Sequence, residues 1–143
     1  MMSTLHTCLD IIAQCINAKT SQLPTYKISF HKWLLNSIDI VKDDDLRNKI
    51  IMLSELEETK YLCGYVNINK HRNIIKIEEQ WFFLSFDMPA SELWVGEFTY
   101  SDQVYREKPL RIVMNFAHSI IQTQIYEILE RMKILWLEDS SSN

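Results

Sequence analysis

Leu5, Cys8, Leu9, Ile12, Cys15 and Ile16 recur at steps of three and four residues, which places them on one stripe of a helix over residues 3–18. Ser3 or Thr4 can cap its start. Residues 21–24, ending in Pro24, break the pattern. Tyr26, Ile28 and Phe30 then alternate with Lys27 and Ser29, which predicts a short strand and a potential fourth member of a sheet. From Phe30 the period changes. Phe30, Trp33, Leu34, Ile38 and Val41 fit a helical face. A further helix follows Asp43, Asp44 and Asp45, with Leu46, Ile50, Leu53 and Leu56 on its apolar side and Ile51 and Met52 widening that side. Aspartates in a first turn complement the helix dipole and cap free N–H groups.

The middle of the chain reads as β structure. Tyr61, Cys63, Tyr65 and the alternation Val66-Asn67-Ile68 predict a strand, and the polar run 69–73 a hairpin connection. A longer strand is expected over 74–86, a turn over 88–91 and a third strand over 93–100. Strands joined by short connections pair antiparallel. Residues 101–109 are polar and include Pro109, which predicts a loop. Residues 110–116 satisfy both periods. From His118 to Leu137 the apolar stripe Ile121, Ile125, Ile128, Met132, Leu135 is helical, with no Gly or Pro to interrupt it. Residues 140–143 read as a frayed tail. The expected fold class is α+β: an antiparallel meander of three to four strands, with N-terminal, middle and long C-terminal helices packed mainly on one face.

Composition fits that picture. The chain has 143 residues, enough for one ordinary core, and no Pro/Gly/Ser-rich linker divides it, so one domain over 1–143 is expected. Hydrophobic residues are 47% and only two are glycines, which excludes a disordered or loop-built chain. The net charge of −4 disfavours nucleic acid, because neutralising phosphates needs a surplus of cations on one face. It suits a basic protein partner. No apolar run approaches ~18 residues, so no membrane span is expected. The N-terminus lacks the pattern of a signal peptide, and Cys8, Cys15 and Cys63, odd in number and without a C-x-x-C pair, read as free thiols of a cytoplasmic protein.

Catalytic signatures are sparse. Gly64 and Gly96 stand 32 positions apart, so no glycine-rich phosphate loop can form. The sequence has no G-x-S-x-G elbow and no H-E-x-x-H, and His6, His31, His71 and His118 are widely spaced. No catalytic residue, metal ligand or cofactor is predicted. Cys63 beside a histidine would be the pair a thiol nucleophile needs, but its apolar surroundings favour a buried structural thiol. Glu78 and Glu79 are adjacent on a strand and point to opposite faces, while Glu55/Glu58 and Glu127/Glu130 read as solvated helix faces. Lys60, Lys70, His71, Arg72 and Lys76 near Tyr61 and Tyr65 resemble a grip for single strands, against which stands the reading of a charged hairpin tip.

Two features point to a binding surface. The segment 43–58 holds six carboxylates (Asp43, Asp44, Asp45, Glu55, Glu57, Glu58) against Arg47 and Lys49, a net of −4. The run Trp81-Phe82-Phe83, then Phe86, Trp94, Phe98 and Tyr100, puts large rings on both faces of a sheet covered on one. The expected partner site is Asp43, Asp44, Asp45, Glu55 and Glu58 with Trp81, Trp94 and Tyr100. This short, acidic, motif-free α+β profile is similar to that of small bacterial immunity or antitoxin-type proteins, which implies a non-enzymatic module docking a basic partner. The alternative is a small-ligand sensor or an enzyme of an unfamiliar kind, with a pocket between sheet and helices lined by Cys63, Tyr100, Arg111 and His118. Homo-oligomerisation through the C-terminal helix or an edge strand is compatible with either.

Overall fold

The computed structural model describes residues 2–71, 75–84 and 88–141, and side chains over 5–70, 75–81 and 91–139. Helix α1 spans Met2–Lys19. It buries Leu5, Leu9, Ile12, Ala13 and Ile16, the stripe the spacing predicts. Asn17 closes it. Its Nδ2 donates to the Leu23 carbonyl at 2.8 Å and its Oδ1 accepts the Leu23 N–H at 2.9 Å, so one buried amide satisfies both backbone groups of Leu23.

The strand expected over 26–30 does not form. Thr25–Lys27 is a single 3-10 turn, and Ile28 and Ser29 are extended without a partner strand among the described residues. The alternation there is real but local: Ile28 and Phe30 enter the core while Tyr26 is 83% exposed. Ser29 accepts the Lys32 N–H and opens a wide π-type turn over Phe30–Leu34, followed by a 3-10 stretch over Leu35–Ile40. Phe30, Leu34 and Val41 are buried and Trp33 and Ile38 half-buried, as the helical reading expects.

Helix α2 spans Asp44–Glu55 and α3 spans Glu57–His71. Leu46, Ile50 and Leu53 are buried, whereas Ile51 and Met52 face solvent and do not widen the core side. The larger correction is α3. The strand expected around Tyr61–Ile68 and part of the hairpin expected at 69–73 are helix; Arg72 and Asn73 lie outside the described residues. Tyr61, Leu62, Cys63 and Gly64 are buried in succession, because α3 is enclosed nearly all round. An enclosed helix loses its polar face and with it the 3.6-residue period.

Strand β1 (Ile77–Leu84) pairs antiparallel with β2 (Met88–Val95), in register from Ile77↔Val95 to Leu84↔Met88. Residues 88–91, expected as a turn, are therefore strand. The connection falls at 85–87, outside the described residues along with Phe86. The third strand expected over 93–100 is divided at Gly96. Its N–H donates to the Lys76 carbonyl at 2.9 Å, and a Cβ on Gly96 would approach that oxygen to 3.1 Å. Beyond it, β3 (Phe98–Tyr100) pairs with β4 (Gln103–Tyr105) as a separate hairpin. Its two-residue turn, Ser101 and Asp102, has φ of 50° and 63°, the geometry matching the twist of a tight hairpin. β5 (Lys108–Pro109) returns to pair with β2. The expected loop at 101–109 thus holds two short strands. The main sheet, ordered β1-β2-β5, is a three-stranded antiparallel sheet interrupted by the β3–β4 excursion.

Pro109 ends the sheet and starts α4 (Leu110–Ile120), which settles residues 110–116 as helix. A π-type turn at Ile121–Ile125 passes into α5 (Tyr126–Ser141). Val113, Ala117, Ile120, Ile125, Ile128 and Met132 join α1, α2 and α3 in one core. Each of these side chains larger than alanine contributes about 1.5–3 kcal/mol by leaving water. The fold is α+β, with helices outweighing a small antiparallel sheet and a long helical C-terminal stretch. Among the described residues no helix is long and apolar enough to cross a membrane.

Candidate functional site

The eight residues expected to form a partner surface fall in three places. Asp43, Asp44 and Asp45 gather at the start of α2, where they hold the fold. Asp43 accepts the Leu46 N–H at 2.7 Å, capping the helix, and receives Arg131 Nε at 3.0 Å and Nη2 at 2.5 Å from α5. The Arg131 hydrogen bond, then the Leu46 amide, keeps its carboxyl below the ordinary range. Asp44 pairs with Arg47. Asp45 lies 3.5 Å from Lys49 and 3.6 Å from Arg131, and Lys49 reaches Glu127 on α5 at 3.4 Å. At the far end of α2, Glu55 pairs with Lys60 at 2.9 Å and Glu57 approaches the same ammonium at 3.8 Å. Of the segment's six carboxylates, Glu58 alone lacks an ion-pair partner among the described residues. Arg131 and Lys60, contributed from outside the segment, offset half of its negative excess. Sequence reasoning missed both clamps, and no local pattern signals either.

The second place is the β1–β2 arm. Cross-strand neighbours share a face, so Ile77, Glu79 and Trp81 lie on the same side as Val95, Leu93 and Ser91. Val95 at the base is fully buried. Farther out, Trp81 is 68% exposed, Leu93 48% and Ile77 46%. Glu79 stands between Ile77 and Trp81 and opposite Leu93, exposed and with no cation at ion-pair distance among the described residues. Trp94 belongs to the opposite side. It is half-buried opposite Pro109, and its Nε1 is buried without a hydrogen-bond partner among the described residues. On that side Arg111 of α4 pairs with Glu92. The side chains of Phe82 and Phe83 lie outside the described residues. The outer edge of β1 pairs with no described strand.

Tyr100 is in a third place, half-buried on β3 against α3. A Cβ on Gly64 would meet its Cδ1 at 3.2 Å. Phe98 and Tyr105 stack at 5.0 Å beneath it, and Tyr61 meets Phe98 edge-on at 5.1 Å. Phe98 and Tyr100, counted among the rings of a partly open sheet, instead join Tyr61 and Tyr105 in fastening the small hairpin to the helix.

Of the four polar groups of the alternative reading, Cys63 and Tyr100 line one cavity of about 270 Å3, with His31 and Lys60. His118 is exposed on α4 and Arg111 is engaged by Glu92, so neither converges there. His31 Nε2 lies 3.1 Å from Cys63 Sγ. Burial pushes the thiol up to about 12 and holds His31 below its ordinary value, with His6 adding to the depression. The pair is a neutral thiol beside a neutral imidazole, without the thiolate that nucleophilic attack requires. The opposite arrangement, a thiolate beside an imidazolium, would need the exposed electropositive setting that these residues lack. Among the described residues no three His, Cys, Asp or Glu side chains converge to hold a metal ion. Of the cations expected to grip a single strand, Arg72 and the His71 side chain lie outside the described residues; among the described ones Lys60 is engaged by Glu55, Lys76 pairs with Glu78, and Lys70 sits ten positions from Lys60.

The chain matches no family model, no curated protein and no solved structure.

Proposed function

We propose that this chain is a non-enzymatic protein-binding module that docks its partner on the free face of the β1–β2 arm. The carrying observation is Trp81, 68% exposed on a strand whose neighbours on that face, Ile77 and Leu93, are also half in water. A large indole flanked by aliphatic side chains is the composition of an interface anchor. Glu79 in their midst adds a charge that a cation on the partner would offset on desolvation. The partner segment is therefore apolar with a Lys or Arg facing Glu79. The acidic start of α2 contributes less, because its carboxylates are engaged with Arg131, Arg47 and Lys49. Inhibition of a basic toxin, in the manner of immunity or antitoxin proteins, is one use of such a surface.

A photo-crosslinking side chain placed at position 81, and separately at position 44, tests this in the native cell. Capture of the same protein from position 81 and not from 44, abolished by Glu79→Lys, supports the arm. Capture from position 44 alone returns the site to the acidic helix, and capture of a second copy of this chain replaces the proposed partner by a homo-oligomer.

A further inference from the structure

Between the last turn of α1, residues 40–42, the start of α2 and the second half of α5 lies an open cavity of about 240 Å3. Its floor is apolar: Ile16, Val41 and Met132 are each at least nine-tenths buried, and Trp136 forms a wall. The polar groups sit at the rim. Lys19 Nζ lies 5.8 Å above the Trp136 ring and 3.8 Å from Asp139. Lys42 Nζ donates to the Asp39 carbonyl at 3.3 Å and keeps its remaining protons for other acceptors. Asp43, the other carboxylate at this rim, is turned to Arg131 and the Leu46 amide.

An apolar pocket with a few charged groups on one side is the usual form of a small-molecule site. Here the volume falls below the range typical of drug-sized ligands, which selects a small one. We infer that the cavity binds a small amphipathic anion. Its hydrocarbon body lies against Met132 and Trp136, and its carboxylate lies between Lys19 and Lys42. Lys19 already holds a carboxylate, that of Asp139, and the ligand takes that place. Two ammonium groups set the sign of the head group, and the aromatic wall favours an unbranched or flat body. The site lies among helices, shares no residue with the β1–β2 arm, and stands or falls independently of it.

Octanoate, octylamine and octanol, titrated separately into the 15N-labelled full chain, test the assignment. Octanoate is expected to give saturable NMR shifts at Lys19, Val41, Lys42 and the Trp136 indole. Octylamine should bind about tenfold more weakly, the factor expected of one lost ion contact. Lys19→Gln with Lys42→Gln should weaken octanoate by about the same factor, whereas Asp139→Asn should tighten it about threefold by freeing Lys19. All three positions are at the rim, so folding is not at stake, and the spectra report it directly. Equal binding of octylamine and octanoate, shifts scattered away from these residues, or no saturable shift would overturn the proposal.

Discussion

Arg131 grips Asp43 across 88 positions of chain, with two nitrogens on the two oxygens of one carboxylate that also caps α2. One side chain thus starts a helix and fastens it to α5. Asp43→Ala should lower stability by about 1 kcal/mol from the cap alone, and by more where the clamp adds to it. Urea unfolding at pH 7 measures this. Asp43→Asn keeps much of the cap and loses the ion pair. Because the folded carboxyl titrates below the unfolded one, the stabilisation is fully present above the ordinary carboxylate range and fades as pH falls through the depressed value. Wild type and Asp43→Asn should therefore converge in acid.

His31 gives stability a second slope with pH. Burial holds it below 6.5, so on acidification the unfolded chain takes up this proton first. Its contribution is complete above pH 6.5 and is lost as pH falls towards the folded value. The groups around it are His6, Asp10 and Cys63. His31→Gln should flatten the loss of urea midpoint as pH falls below 6.5.

Cys63 acts at the other end of the scale. Its thiol is pushed from 9.0 to about 12 by burial, with Asp10 adding to the shift. The unfolded chain therefore releases this proton first as pH rises, and stability declines from pH 9 towards 12. Tyr61, also pushed up to about 12, joins the decline from pH 10. In the folded chain at pH 8, a disulfide reagent should label the half-buried Cys8 and Cys15 well before Cys63. Equal labelling rates would contradict the burial of Cys63.

Thr59 is wholly buried on α3 with its Oγ1 unpaired among the described residues. An unsatisfied buried hydroxyl costs roughly 1–3 kcal/mol. Thr59→Val keeps the shape and removes the group, so it should raise the thermal midpoint. A fall would mean that the hydroxyl has a bound partner.

The N-terminal helix, the Asp-capped α2 and the C-terminal helix were legible because each keeps a polar face opposite its apolar stripe. α3 was not. Its alternation at Tyr61, Cys63 and Tyr65 fits a strand, and its enclosure removes the polar positions that would have shown a helical period. Gly64 deepened the ambiguity; it is there because Phe98 and Tyr100 lie within 3.2 Å of any Cβ. β3 and β4 are three residues each, too short to carry a period, and Phe98 and Tyr100 read as a continuation of the Trp94 face. At the candidate site, Trp81 was legible from aromatic density. That Trp94 and Tyr100 face elsewhere depends on strand ends at Val95 and Tyr100, which hydrogen bonding to Lys76 and to Gln103 sets. The engagement of Asp43 by Arg131 is a contact between distant segments, and no local pattern announces it.

Once the partner is captured, calorimetry on single variants weighs the arm against the acidic helix. Trp81→Ser should weaken binding about thirtyfold or more, the loss expected of an anchor worth about 2 kcal/mol, with its own unfolding midpoint nearly unchanged. The combined Asp44→Asn, Glu55→Gln and Glu58→Gln variant should change affinity less than about threefold. The reverse ranking, a silent Trp81 and a large loss from the carboxylates, would contradict docking on the arm.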